Sequence, residues 1–164
     1  KVFAASAAMD YYQGVVANFL DADPAVFVNN EYYIRLDDLP AKGNSWYCDI
    51  MAVNMKDQAV YLCEVTFSQS LSGLTKRLLA WDERWPQICL TIRRKSAIPD
   101  SWMIQPWIFI PEDLKHGLLT RLSCSQMPNP RLTWLESVVP WNYNSDERTK
   151  DWLEPLPVPA EGAI

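Results

Sequence analysis

Two runs of β-branched, aromatic and aliphatic residues, SWYCDIMAVNM from Ser45 and AVYLCEVTF from Ala59, are separated by a polar turn at Lys56 and Asp57. Together they predict a β-hairpin, which fixes a register and with it the facing of each residue in both strands. A loop symmetric about the Lys56–Asp57 bond sets Met55 opposite Gln58 and Asp49 opposite Glu64. Strand alternation then groups Tyr47, Asp49, Met51 and Val53 on one face with Leu62, Glu64 and Thr66. Cys48, Ile50, Cys63 and Val65 fall on the other.

The hairpin therefore makes two carboxylates cross-strand neighbours, and like charges directly opposite each other destabilise a sheet. A divalent cation with hard oxygen ligands is an economical compensation, since Mg²⁺ is typically held by one or two carboxylates plus substrate phosphate. The same stretch resembles the PD-(D/E)XK, or restriction-endonuclease-like, nuclease superfamily. Asp49-Ile50-Met51-Ala52-Val53 looks like its first motif element, and Glu64-Val65-Thr66 like its second, with Thr66 where the family has Lys. The resemblance covers roughly the first two thirds of the chain by order of elements and rests on a short motif. It implies that Asp49, Glu64 and the backbone carbonyl of Val65 hold Mg²⁺ or Mn²⁺ for hydrolysis of DNA phosphodiester bonds. A hydroxyl at position 66 cannot supply the cation that steadies a hydroxide nucleophile and the developing phosphorane charge.

The segment SQSLSGLTKRLLAWDERW is expected to be a helix over about 70–85. Leu71, Leu74, Leu78, Trp81 and Trp85 form one stripe at helical spacing, and Ser70 is a candidate cap. Lys76 lies nearly opposite that stripe and Arg77 on its border, so Arg77 is better aimed at the sheet. Some members of the resembling superfamily relocate the lysine to this helix, which makes Lys76 the family-based replacement and Arg77 the geometric one. Gln69, in the loop entering the helix, is a third group able to orient water or phosphate. Taken alone, Lys76 reads as an ordinary solvated helix charge. A literal copy of the motif, Pro99-Asp100 with Asp113-Leu114-Lys115, is set aside. Pro111 and the acids after it mark a helix start, and Pro99-Asp100-Ser101 a turn between two strands.

Along the chain, ASAAMDYYQGVVANFLDAD reads as an amphipathic helix ending near Asp21 to Pro24, with Met9, Tyr12, Val16, Phe19 and Leu20 on its apolar face. In the resembling family a helix here offers an acid to the metal; this one offers Gln13 or Asp10. Next come EYYIRLDDL as a strand, the loop LPAKGN, the hairpin, the helix, and ICLTIRR and WMIQPWIFI as strands. A helix opening at Pro111 and a strand TWLESVVPW follow. Helix, three strands, helix, strand is the core order of the resembling family. It implies an α/β fold: a restriction-endonuclease-like core with a mixed sheet flanked by helices and a right-handed crossover through 70–85. Residues 1–144 are read as one domain and the acidic, Pro-rich 145–164 as a surface tail.

At 164 residues, 49% of them apolar, the chain suits one well-cored domain. It has no run long enough to span a bilayer and no signal-like apolar N-terminus, so a soluble, cytoplasmic protein is expected. Cys48, Cys63, Cys89 and Cys124 form no CxxC pair and fit buried thiols in a reducing compartment. His116, the one histidine, is read as a surface or boundary helix residue, which leaves neither a zinc set nor a His-dependent triad. Fifteen basic against twenty acidic residues give weak long-range attraction to a polyanion. From Lys76 to Lys95, however, six basic residues face two acids. Basic region 76–95 is thus the expected nucleic-acid contact. Within it Arg93-Arg94-Lys95 ends a strand at a turn, placed either for phosphates or as a solvated turn.

The eight Trp read as core and subunit-contact residues, and a homodimer suits a nuclease that cuts both strands. Three readings stay open: a Mg²⁺-dependent nuclease, a catalytically degenerate binding or assembly module on the same fold, and an unrelated α/β domain whose Asp49 and Glu64 merely face solvent.

Overall fold

The computed structural model describes residues 11–36, 45–122 and 124–140, with Ser45 and Trp46 described by their backbone alone. One mixed sheet runs in the order β1-β2-β3-β4-β5, built from β1 (Val26–Arg35), β2 (Ser45–Asn54), β3 (Ala59–Val65), β4 (Met103–Ile110) and β5 (Arg131–Trp134). The first three strands are antiparallel neighbours, and β3, β4 and β5 are parallel. Helices α1 (Tyr11–Asp21), α2 (Ser72–Glu83), α3 (Trp85–Ser96) and α4 (Lys115–Leu119) complete an α/β fold. Met9, Asp10, the loop 39–44 and the tail 145–164 lie outside the described residues. Among the described residues no helix is long and apolar enough to cross a membrane.

The hairpin has the expected register, Ile50 opposite Cys63 through Asn54 opposite Ala59. Asn54 organises the turn: its Oδ1 accepts the N–H groups of Lys56 and Asp57 at 3.0 and 2.9 Å, and its Nδ2 donates to Asp57 Oδ2 at 2.8 Å. Gln58 closes the turn at φ 53°.

The expected faces hold only as far as Asp49. Ile50 and Ala52 pack on the α1 side with Val26 and Val28, whereas Cys48 packs on the α2–α3 side with Met51, as do Tyr32 and Ile34. Regular alternation would put Cys48 with Ile50. Both strands exchange faces at one level, where Glu31 and Asp49 form the gap in the β1–β2 ladder and Glu31 adopts φ 53°. A residue at positive φ breaks the pleat, so parity counted from the turn fails beyond it.

Each sheet face buries one apolar cluster. α1 lays Val16, Phe19 and Leu20 against Ile50, Cys63 and Phe109. α2 and α3 lay Leu74, Leu78, Trp81, Ile88 and Ile92 against Met51, Leu62 and Ile108. Each such fully buried large side chain is worth about 1.5–3 kcal/mol relative to exposure. Trp81, Trp85 and Trp107 are core residues. All four cysteines are free, and His116 lies exposed on α4.

ICLTIRR is helical, not a strand. Ile88, Leu90 and Ile92 mimic alternation, yet Leu90 is 67% exposed and the buried set is Trp85, Ile88, Thr91 and Ile92, a helical stripe. Arg84 breaks from helical geometry at φ −123° and ends α2; Pro86 then sits in the first turn of α3, where a missing N–H costs nothing. The Pro99 turn accordingly joins a helix to a strand. Arg93-Arg94-Lys95 forms the last turn of α3, not a strand end. Arg93 donates to the carbonyls of Pro99 and Trp102, and Lys95 to that of Arg35. Ser70 is not the α2 cap: Leu71 holds that position with no side-chain cap bond, and Ser70 Oγ pairs with Ser72 Oγ. TWLESVVPW supplies only the end of β5 before a 3₁₀ turn at Leu135–Ser137. Pro106 is tolerated inside β4 because β5 pairs only from Trp107 onward, leaving one neighbouring strand at that level.

Asp82 at the end of α2 secures the loop before β5. Its carboxylate accepts the N–H groups of Ser125, Gln126 and Met127 and the Ser125 hydroxyl at 2.7–3.1 Å. Burial alone would raise its pKa, but the bonds from Met127, Ser125 and Gln126 outweigh it and hold the pKa below the ordinary Asp value. The stabilisation is therefore complete above the unfolded Asp pKa of about 3.9 and is lost as pH falls through the lower folded value. Asp82→Asn is expected to cost about 2–3 kcal/mol in urea unfolding at pH 7, with the deficit shrinking in acid; an equal deficit at pH 7 and pH 2 would refute this account.

Candidate active site

Asp49 and Glu64 occupy the level just beyond the last paired residues of the hairpin, Ile50 and Cys63. There the side chain of Asp49 takes over from the ladder: its Oδ2 accepts the Val65 N–H at 2.7 Å. Its own carbonyl accepts Gln13 Nε2 of α1 at 2.8 Å. Glu64 and Val65 turn instead to β4, opposite Ile108 and Phe109, and the Thr66 N–H bonds the Phe109 carbonyl. Strand β3 thus leaves β2 at this point, and a carboxylate closes the opening.

Glu64 is 0% exposed, which is costly for a charge without good partners. Arg77 reaches it from α2, Nη2 to Oε2 at 2.9 Å, with its side chain 42% exposed. Neither carboxylate oxygen of Glu64 nor the Nε of Arg77 completes a hydrogen bond of good geometry. Burial, reinforced by the charge of Asp49 and opposed by Arg77, raises the Glu64 pKa well above the ordinary value. Burial also lifts the Cys48 and Cys63 thiols, and the charge of Glu64 adds to it, so neither is a thiolate ligand near neutral pH.

Of the residues singled out from the sequence, Asp49, Glu64, Val65 and Arg77 come together. Lys76 does not join them: it is exposed, on a groove along α2 shared with Leu79, Glu83 and Arg121. Gln69 is exposed in the segment between β3 and α2. Thr66 points its chemistry locally, its Oγ1 accepting the Ser68 N–H. Gln13 is buried and oriented on Asp49; its signal in the sequence was an amide on the apolar stripe of α1. Sequence reasoning missed an aromatic wall beside the site. Tyr12, next to Gln13, stacks on Phe67, two residues beyond Val65, with centroids 4.3 Å apart and planes 9° apart.

Among the described residues no group of three or more His, Cys, Asp or Glu is placed to hold a metal ion. The two carboxylates and the adjacent carbonyl of Val65 form a smaller, all-oxygen set. Its chemistry suits a hard cation that keeps several waters or takes phosphate oxygens, and Glu64 Oε1 is a buried oxygen lacking a partner.

The raised Glu64 pKa carries a definite sign. The folded state holds that proton more tightly, so stability falls as pH rises from about 4.3, the unfolded Glu value, through the folded pKa. In chelator-treated buffer, urea unfolding across pH 4.5–8 should show this fall in the wild type and a flatter profile in Glu64→Gln; parallel profiles would overturn the assignment. No protein-family model matches the chain, and no curated protein matches its sequence.

Proposed function

We propose that this chain is a Mg²⁺-dependent nuclease with a restriction-endonuclease-like core, hydrolysing DNA phosphodiester bonds, with Mn²⁺ as an alternative ion. The observation that carries the reading is the buried Glu64 carboxylate, with an unpartnered oxygen, at the level of Asp49 and within reach of a cation. Asp49, Glu64 and the Val65 carbonyl would hold the ion. Once bound, it would polarise the phosphate and lower the pKa of the attacking water.

The rest falls to the protein. The Val65 N–H holds the Asp49 carboxylate, and the Gln13 amide holds the main-chain carbonyl of the same residue. Arg77 takes the place of the motif lysine. Its guanidinium acts as a planar donor and charge toward the developing phosphorane. Being partly exposed, it can serve Glu64 in the free protein and a phosphate oxygen in the complex. Of basic region 76–95, Arg77, Arg93 and Lys95 are engaged within the fold. Lys76, with Arg121 across the α2 groove, is the pair best placed for further phosphate contact.

A specific observation also favours the catalytically degenerate module: Arg77 already sits on Glu64 Oε2, where a metal ion would compete, and the pair ties α2 to the sheet. Calorimetric titration of Mg²⁺ and Mn²⁺, with cleavage of plasmid and oligonucleotide DNA on the same samples, separates the two readings. The nuclease reading expects binding and cleavage that both vanish in the Asp49→Ala, Glu64→Ala double variant. It further expects Arg77→Ala to lower kcat by about 100-fold, with Arg77→Lys partly restoring it. Absence of ion binding in the wild type, with DNA present, favours the module.

A further inference from the structure

The Tyr12–Phe67 stack joins the core only through Tyr12, which packs on the α1-side cluster, and it leaves the Phe67 ring outside. Tyr12 and Phe67 are stacked, Tyr11 meets Tyr12 edge to face with centroids 5.3 Å apart, and Phe67 and Tyr11 remain 51% and 72% exposed. Phe67 is delivered by the chain that supplies Glu64 and Val65: the strand ends where the Thr66 N–H meets the Phe109 carbonyl. Two hydroxyl-centred turns, Ser68 N–H to Thr66 Oγ1 and Ser70 N–H to Ser68 Oγ, then shape the segment that presents the ring. Tyr12 is delivered by the helix turn whose Gln13 grips Asp49. The strand end whose Val65 N–H holds the Asp49 carboxylate and the helix whose Gln13 holds the Asp49 main-chain carbonyl thus also carry the rings.

We infer that the Tyr12–Phe67 stack is a platform for an unpaired nucleobase next to the scissile phosphate, so that the substrate is single-stranded, or locally unpaired, nucleic acid. The inference rests on the nuclease reading for its placement. Every nucleobase has a π-face, and a base on Phe67 extends a stack already begun by Tyr12. A base paired within a duplex cannot reach such a ring without leaving its stack. Charge points the same way. Fifteen basic against twenty acidic residues give weak long-range attraction to a polyanion, whereas stacking needs no net charge.

The test is fluorescence-anisotropy binding of a labelled oligothymidylate and of a duplex of equal length, in chelator so that no cleavage intervenes. Cleavage is assayed separately with Mg²⁺. The wild type should prefer the single strand, with a shallow salt dependence. Phe67→Ala should weaken that binding by about 10-fold, within the range for losing one stacked base, and Phe67→Leu should not restore it. Phe27→Ala, which removes a 61% exposed ring at the other end of β1, is the control and should change nothing. Single-strand binding that depends on Phe67 in a wild type that never cleaves sustains the platform and sinks the nuclease reading. Cleavage that depends on Asp49 and Glu64 but is indifferent to Phe67, in binding and in KM, sinks the platform alone. A preference for duplex, no binding of either strand form, or a concentration-dependent dimer dissolved by Phe67→Ala also overturns it.

Discussion

A carboxylate with no exposed surface at the centre of a mixed sheet is the constraint to which the surrounding structure answers. Glu64 stands where the pairing of β3 with β2 ends while its pairing with β4 continues, with Asp49 at the same level. Two neighbouring charges in that position cost several kcal/mol unless partners converge on them. The partners do converge: Arg77 from α2 on Glu64, the Val65 N–H on Asp49, and Gln13 from α1 on the Asp49 carbonyl. Helices from both faces of the sheet therefore meet the hairpin at one level. That is how a chain whose two apolar clusters lie on opposite faces fixes one arrangement of polar groups between them.

The break in pleat at Glu31 belongs to the same constraint. Were alternation to continue through Asp49, Cys48 would turn toward α1 and the sheet would reach its end without exchanging faces. The exchange puts Cys48, Tyr32 and Ile34 under α3 and lets the outer halves of β1 and β2 cover the α2–α3 cluster. The exchange level and the level of the two carboxylates coincide, so the irregular backbone and the unusual side chains share one location. Irregular strand positions next to functional groups are a recurrent use of such breaks.

The hairpin, its register and the meeting of Asp49 with Glu64 were legible because they follow from local rules: apolar runs, a polar turn and a period of two. That Arg77 faces the sheet more than Lys76 was legible for a similar reason, since a helical wheel needs only the position of the apolar stripe; it did not decide between the two as replacement for the motif lysine. What was not legible depended on context. Ile88, Leu90 and Ile92 satisfy the strand period, while Ile88 and Ile92 also fit a helical stripe with Trp85 and Thr91 that Pro86 opens. The face exchange is invisible because Glu31 carries no glycine-like signal for positive φ. Phe67 was absorbed into an apolar run, and nothing local shows that the strand ends two residues before it.

Thr66 has a structural use at the end of β3. A lysine there would project from the strand beside Glu64, but this chain uses position 66 to turn: its N–H closes on Phe109 and its hydroxyl caps Ser68. Arg77 approaches Glu64 from α2, a longer reach than a side chain on the strand would need, while Phe67 follows the strand end. Arginine supplies that reach and a planar fork suited to carboxylate and phosphate alike. It also ties the charge to a helix whose far end is anchored through Asp82. Arg77, in the middle of α2, is ion-paired to the sheet while the end of that helix is anchored through Asp82, so the fold as a whole positions it. The ion pair from α2 and the exposed ring of Phe67 both accompany a position 66 that is used for the turn.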